Sequence, residues 1–237
     1  MVEWRQRRRA ALAWCALAGA AAVALKYHFS VAAASDLQWM LHPLALLLRA
    51  ATGCTFERNT DGAWQSLGAG LVLIKACAGI NFMVLSFLGW CWTWRPRART
   101  WPLWQWPLRL GGALGCAWLL SLGVNALRIL MIVRFQPSLE YWLAPADAHR
   151  LLGLMTYLPA LCLQGLLADR EEPALAVLLG CGLYALLMLG LPLASGSAAA
   201  DPRLYAAHAA EALAVLIPLL GIAGWRHNCR ARRFRGS

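Results

Sequence analysis

The chain has 237 residues, of which 60% are hydrophobic and only 14% are charged, and its formal net charge is +11. Soluble domains carry about 45–50% apolar and about 25% charged residues, so this composition excludes an ordinary soluble domain. The long Leu- and Ala-rich runs lack the residue alternation of a membrane β-barrel. We therefore predict an all-α polytopic membrane bundle with about six transmembrane helices.

The first predicted span lies near residues 10–25, directly after a cluster of arginines. The small residues at 31–35 that follow it are typical of a signal-peptide cleavage site. The segment is therefore either a cleaved signal peptide or a retained transmembrane helix. The next span lies near 78–94, and the remaining four lie near 108–133, 151–168, 174–194 and 205–224. We expect the third span to end at Arg134, before Pro137.

The segment between the first two spans, residues 35–76, is mixed in character. Five apolar residues recur at helical spacing and predict an amphipathic helix at the membrane interface: Leu37, Met40, Leu41, Leu44 and Leu48. Asp61-Gly62 follows within a polar stretch and predicts the turn of a short β-hairpin.

The distribution of positive charge predicts the orientation. With the N-terminus inside, the alternating segments place fourteen of the 22 Lys and Arg residues on the cytoplasmic side, seven outside and one, Arg128, within a span. Because Lys and Arg favour cytoplasmic loops, both termini are predicted to be cytoplasmic. The basic face then meets anionic lipid headgroups, so the net charge does not require a nucleic-acid partner.

Three polar motifs fall at the outer membrane face in this orientation. Residues 76–81 open the second span and include Cys77. Asn125 and Arg128 lie three residues apart near the outer end of the third span, and His149 opens the fourth. The residues alone leave alternatives open at each position.

Arg128 is either a functional intramembrane charge or an interfacial residue whose side chain reaches water or ties two helices together. Cys77 is either a nucleophile, active as the thiolate, or the partner of Cys54 in a disulfide of an oxidising compartment. His149 is not distinguished by position from the other histidines predicted outside or in spans, namely His28, His42 and His208.

The three motifs together resemble the archaeosortase/exosortase family of membrane transpeptidases. That family has a Cys-Ser/Ala-Gly motif, then Asn-x-x-Arg, then a His with Gly four residues later. The corresponding residues here are Cys77-Ala78-Gly79, Asn125 to Arg128, and His149 with Gly153. The wording of residues 75–82 is most similar to the exosortase K subgroup, and Ala78 stands where many relatives have Ser.

The resemblance implies a cysteine protease or transpeptidase acting at the outer, periplasmic face of the inner membrane. Cys77 would be the nucleophile, Arg128 would stabilise the oxyanion or the thiolate, and His149 would be the general acid and base. The implied substrates are secreted proteins whose C-terminal sorting tail consists of a short motif, a transmembrane helix and a basic cluster. No cofactor or metal is implied.

This interpretation divides the chain into four segments. Residues 1–34 hold the basic N-terminus and first helix, 35–76 form an outer segment, 77–168 form the catalytic core, and 169–237 hold two helices and a basic tail. A rhomboid-like serine protease is disfavoured because no Gly-x-Ser-Gly motif opens a span. The alternative from another class is a non-catalytic assembly partner or a transporter, with Asn125 and Arg128 lining a polar path.

Overall fold

The computed structural model describes residues 2–66, 68, 70–96, 101–102, 104–169, 172–194 and 196–235. The chain forms two compact units, residues 1–130 and 131–237. The first unit contains helices α1 (Val2–Val31), α2 (Gln38–Thr52) and α3 (Ile80–Thr93), three short strands, and most of α4 (Gln105–Leu139). The second contains α5 (Pro145–Ala168), α6 (Pro173–Ala185), α7 (Leu191–Ala194), α8 (Ser197–Ala200) and α9 (Pro202–Arg235).

Five helical segments in the described part of the chain are long and apolar enough to cross a membrane: Arg8–Val31, Lys75–Thr93, Gln105–Leu139, Pro145–Ala168 and Pro173–Ala194. In the most apolar stretch of each, at least half of the residues are not buried within the protein. Large apolar side chains such as Leu119 and Leu167 are 64% and 68% exposed. Apolar surface of this extent on long helices suits contact with lipid, and the prediction of an all-α membrane bundle is confirmed.

The sixth predicted span, near 205–224, coincides with α9. Its apolar stretch among the described residues, Tyr205–Pro218, is shorter than the other five. A full crossing needs about 20 apolar residues, and Glu211 lies in the middle of this stretch. The third predicted span also differs, because α4 passes Pro137 and ends at Leu139. Only two helical residues follow this proline, so its missing N–H affects only the final turn.

Helices α1 and α3 pack against each other in the first unit. Trp14 of α1 is fully buried, and its indole Nε1 donates a hydrogen bond of 2.7 Å to the carbonyl of Cys91 on α3. A buried indole N–H needs such a partner. Trp101 and Trp106 contact the same ring edge-on, with ring centroids 5.2 and 5.9 Å away.

The apolar helix face predicted for residues 37–48 is present in the structure. All five residues that define it, Leu37, Met40, Leu41, Leu44 and Leu48, are 0% exposed. The face is buried within the first unit, where α2 contacts the second strand and the turn that precedes α3. Trp118 of α4 donates a hydrogen bond of 3.2 Å to the carbonyl of Trp39. The face therefore serves as a packing surface of the protein itself.

The predicted hairpin is part of a small antiparallel sheet. Strands β1 (Glu57–Arg58), β2 (Trp64–Ser66) and β3 (Leu71–Leu73) pair in that order, with Gln65 opposite Val72. Gly62 in the first turn has φ +82°, and a Cβ there would lie 2.7 Å from the backbone nitrogen of Ser35. Gln38 of α2 donates a 2.7 Å hydrogen bond to the carbonyl of Gly62. The sheet is thus fixed to α2, and β3 leads directly to Cys77.

In the second unit, α5, α6 and α9 pack against one another. Gly165 of α5 permits a close approach to α6, since a Cβ at this position would lie 3.1 Å from the backbone of Ala176. The thiols of Cys162 and Cys181 meet across the same interface, with a sulfur–sulfur distance of 3.8 Å. Small residues allow this close helix packing in membrane proteins.

Candidate active site

Cys77 lies in a tight turn between the sheet and α3. Residues Lys75–Ala78 form one turn of 3₁₀ helix, and the amide of Cys77 donates a 2.8 Å hydrogen bond to the carbonyl of Ile74. Gly79 then takes the left-handed conformation, with φ +67°, and α3 begins at Ile80. Cys77 therefore lies in the turn that leads into α3, and the N-terminus of a helix favours negative charge nearby.

The side chain of Asn125 on α4 fixes this turn. Asn125 is 0% exposed, and its Nδ2 donates a hydrogen bond to the carbonyl of Cys77. Gly79 packs directly on the same amide: a Cβ at Gly79 would lie 3.1 Å from Cγ and 3.2 Å from Nδ2 of Asn125. Glycine is needed here for two reasons, the positive φ and the absence of space for a side chain.

Ser121 makes a second contact from α4. It lies four residues before Asn125, on the same helix face, and is also 0% exposed. Its Oγ donates a 3.3 Å hydrogen bond to the carbonyl of Gly79, which also accepts a 3.1 Å bond from the amide of Met83. Two side chains of α4 thus hold the main chain on both sides of Ala78.

Lys75 ties the turn to α1. Its Nζ donates hydrogen bonds of 2.6 Å to the carbonyl of Ala32 and 3.0 Å to that of Ser30, at the C-terminal end of α1. These are carbonyls that a helix end leaves without intrahelical partners, and a cation there also complements the helix dipole. Lys26 of α1 bonds to Oδ1 of Asn81 at 2.5 Å, so α1 also contacts the first turn of α3.

The thiols of Cys77 and Cys54 are both free and partly exposed. The Sγ of Cys77 faces the carbonyl of Val72 in β3, at 3.9 Å, whereas the Sγ of Cys54 faces the carbonyl of Thr52, at 3.8 Å. The structure therefore presents Cys77 as a thiol and not as half of a disulfide with Cys54. A partly exposed thiol in a fixed turn is accessible to an electrophile.

Arg128 lies on α4 three residues after Asn125, so the two residues share one face of the helix, and its side chain is partly buried. The first unit thus brings together Cys77 and Asn125 directly and places Arg128 one helical turn further along α4. The Arg128 guanidinium therefore belongs to α4, the helix that already contacts the Cys77 turn. Arginine is a strong donor to anions at such positions.

His149 belongs to the second unit, where it lies exposed in the first turn of α5. The next residue, Arg150, forms ion pairs with Asp147 on the same turn and with Glu211 on α9, the latter at 3.5 Å between Nε and Oε2. The side chains of Arg150 and Glu211 are each 20% exposed. The helix turn that carries His149 is therefore fixed to α9 by its neighbour.

The other histidines have different environments. His28 is exposed in the last turn of α1. His42 stacks on Trp64, with nearly parallel rings whose centroids are 5.1 Å apart. His208 lies partly buried on α9, three residues before Glu211. Within the ranges that the structure describes, no three His, Cys, Asp or Glu side chains are grouped so that they could hold a metal ion.

In the sequence, Asn125 stands out through its motif with Arg128, but nothing there links it to Cys77, and Ser121, Lys75 and Glu211 are not distinguished as parts of a site. The contact of Asn125 with Cys77 joins residues 48 positions apart, which no local pattern reveals. The i, i+4 spacing of Ser121 and Asn125 in an otherwise apolar span was the available signal, since two polar residues on one face of a membrane helix need partners.

The chain was compared with protein-family models, with curated proteins and with solved structures, and no match was found in any of the three.

Proposed function

We propose that this protein is a membrane-embedded cysteine peptidase or transpeptidase that cleaves the C-terminal sorting tails of secreted proteins at the periplasmic face of the inner membrane. The observation that carries the proposal is the turn of Cys77, in which a partly exposed thiol belongs to a residue whose carbonyl is bonded to a buried amide, just before α3 in the chain. The resemblance of three motifs to exosortases supplies the substrate class and the roles of Arg128 and His149.

The chemistry follows the usual course of covalent catalysis by cysteine. The Cys77 thiolate attacks the scissile carbonyl carbon and forms a tetrahedral oxyanion, which Arg128 stabilises. The carbon–nitrogen bond breaks, His149 gives a proton to the leaving amine, and a thioester remains. An acceptor amine or water then attacks the thioester, His149 takes its proton, and the Cys77 thiolate is released. Removing one donor to the oxyanion typically costs about 10²–10³ in rate.

The proposal is tested by replacing Cys77 and comparing the C-termini of membrane-anchored and secreted proteins in cells. We expect Cys77→Ala cells to accumulate proteins that retain the tail, while Cys54→Ala, a matched change at another partly exposed thiol, leaves processing normal. Both variants should reach the membrane in equal amounts. Full processing in Cys77→Ala cells would remove Cys77 as the nucleophile.

A non-catalytic role as a transporter is disfavoured by the position of Asn125. The transport alternative needs Asn125 and Arg128 to line a polar path, yet the amide of Asn125 is completely buried and bonded to the Cys77 main chain. A scaffold or transport role would also survive Cys77→Ala, so the same experiment separates the two classes.

A further inference from the structure

We propose that Asn125 is a positioning residue that sets the orientation of the Cys77 thiol through the Cys77 carbonyl, an inference that rests on the proposed function only for its catalytic consequence. The side chain acts on the main chain of Cys77, by the hydrogen bond from Nδ2 to the carbonyl oxygen.

The burial of the Asn125 amide supports this role. Asn125 is 0% exposed in a helix that is long and apolar enough to span a membrane. A buried side-chain amide is costly unless its polar atoms have partners. An aliphatic residue would satisfy packing at this position without that requirement, so the presence of an amide aimed at the Cys77 carbonyl indicates that the bond itself is needed.

The geometry of the Cys77 turn also supports this role. Gly79 has φ +67°, and its missing side chain leaves the space in which the Asn125 amide sits, 3.1–3.3 Å from where a Cβ would be. Ser121 bonds to the carbonyl of Gly79 from the next helical turn. The carbonyls of Cys77 and Gly79 are thus both fixed to α4, and Cys77 has little freedom to rotate about its backbone.

The expected consequence for catalysis follows from the precision that covalent attack requires. A misplacement of about 1 Å in a reacting group can cost on the order of 10²-fold in rate. Loss of the Asn125 bond should therefore lower kcat for tail cleavage by about 10- to 100-fold, with KM unchanged within about twofold.

The thiol itself gives a second readout that does not depend on any enzymatic activity. In Asn125→Leu, which has a similar size but no donor, the turn is released and the thiol becomes more accessible to a small reagent. We expect alkylation of Cys77 by iodoacetamide to become about fivefold faster, the factor that corresponds to one net hydrogen bond of about 1 kcal/mol. Alkylation is measured on the purified full chain, by mass spectrometry of the peptide that contains Cys77.

The variant Asn125→Asp keeps the shape of the side chain and makes its hydrogen-bond donor depend on pH. At low pH the neutral carboxyl donates its O–H to the Cys77 carbonyl, whereas the ionised form at high pH repels that carbonyl. The ratio of the variant's alkylation rate to that of the wild type should be near one at about pH 5.5 and depart from one as the pH rises. The other charged groups on the elements around this turn are Lys26, Lys75 and Arg128, and they are present in both proteins.

Two controls belong to the same samples. Cys91 is buried on α3 and reports unfolding, so its alkylation should stay slow in every variant. Asn81→Asp adds the same carboxyl in the first turn of α3, at an exposed residue that does not bond to the Cys77 carbonyl, and should leave the ratio flat. If Asn125→Leu does not fold, the pH profile of Asn125→Asp decides, because its donor is restored at low pH.

The outcomes are distinct. Faster alkylation of Cys77 alone in Asn125→Leu supports the proposal. It is overturned if Asn125→Leu keeps Cys91 unreactive and alkylates Cys77 at the wild-type rate, or if the Asn125→Asp ratio differs from one by the same factor at every pH. A changed alkylation rate in a protein that cleaves no tail would leave the positioning role in place and would refute the proposed function instead.

Discussion

Replacing Gly79 with alanine should destabilise the first unit by an amount that the geometry allows us to estimate. An L-residue in the left-handed region costs about 1–2 kcal/mol. The new Cβ would also lie 3.1 Å from Cγ and 3.2 Å from Nδ2 of Asn125, closer than ordinary contact. Because Asn125 is fully buried and bonded to Cys77, it can yield only by weakening that bond, which adds about 1 kcal/mol. We expect a total loss of about 2–3 kcal/mol.

The assay is the free energy of unfolding in mixed micelles, measured for the wild type, for Gly79→Ala and for a matched control. Gly123 on α4 is suitable, since a Cβ there meets nothing within 4 Å and its φ is not positive. Gly123→Ala should be neutral or stabilising by up to about 1 kcal/mol. Equal unfolding free energies for Gly79→Ala and the wild type would refute the packing of this turn described above.

Three further substitutions test contacts away from the Cys77 turn by the same unfolding measurement. Gly62→Ala should cost at least about 2 kcal/mol, because φ is +82° and the Cβ would lie 2.7 Å from the backbone of Ser35; a neutral result would contradict the docking of the hairpin. Gly165→Val should separate α5 from α6 and cost about 1–3 kcal/mol, since a Cβ already meets Ala176 at 3.1 Å; unchanged stability would contradict that interface. Lys75→Met removes the two hydrogen bonds to the carbonyl end of α1 and should lower the free energy of unfolding by about 1–2 kcal/mol. Lys75→Arg keeps a donor there and should retain most of that stability.

The parts of the fold that depend on periodicity were predictable from the sequence. The spacing of Leu37, Met40, Leu41, Leu44 and Leu48 predicts α2 and its face, because a helix brings residues three and four apart to one side. Asp61-Gly62 predicts the turn between β1 and β2, since glycine accepts the positive φ found there. The apolar runs predict the spans because crossing a membrane requires a minimum apolar length.

The parts that depend on contacts between distant segments were not predictable in this way. Nothing local shows that the apolar face of α2 is covered by protein, or that α9 is attached to α5 through Arg150 and Glu211. The role of Asn125 toward Cys77 likewise depends on how α4 packs beside the turn before α3. For His149, the structure gives its place on α5, and its role remains a prediction from the resemblance.

As the proposed nucleophile, Cys77 would form a thioester with the processed protein. Hydroxylamine attacks a thioester carbon and displaces the thiolate, so membranes treated with it should release secreted proteins that carry a C-terminal hydroxamate. We expect this product from the wild type and from Cys54→Ala, and none from Cys77→Ala, with the new C-termini identified by mass spectrometry. Hydroxamates formed equally by Cys77→Ala membranes, or processing by the wild type without any hydroxamate, would contradict the account.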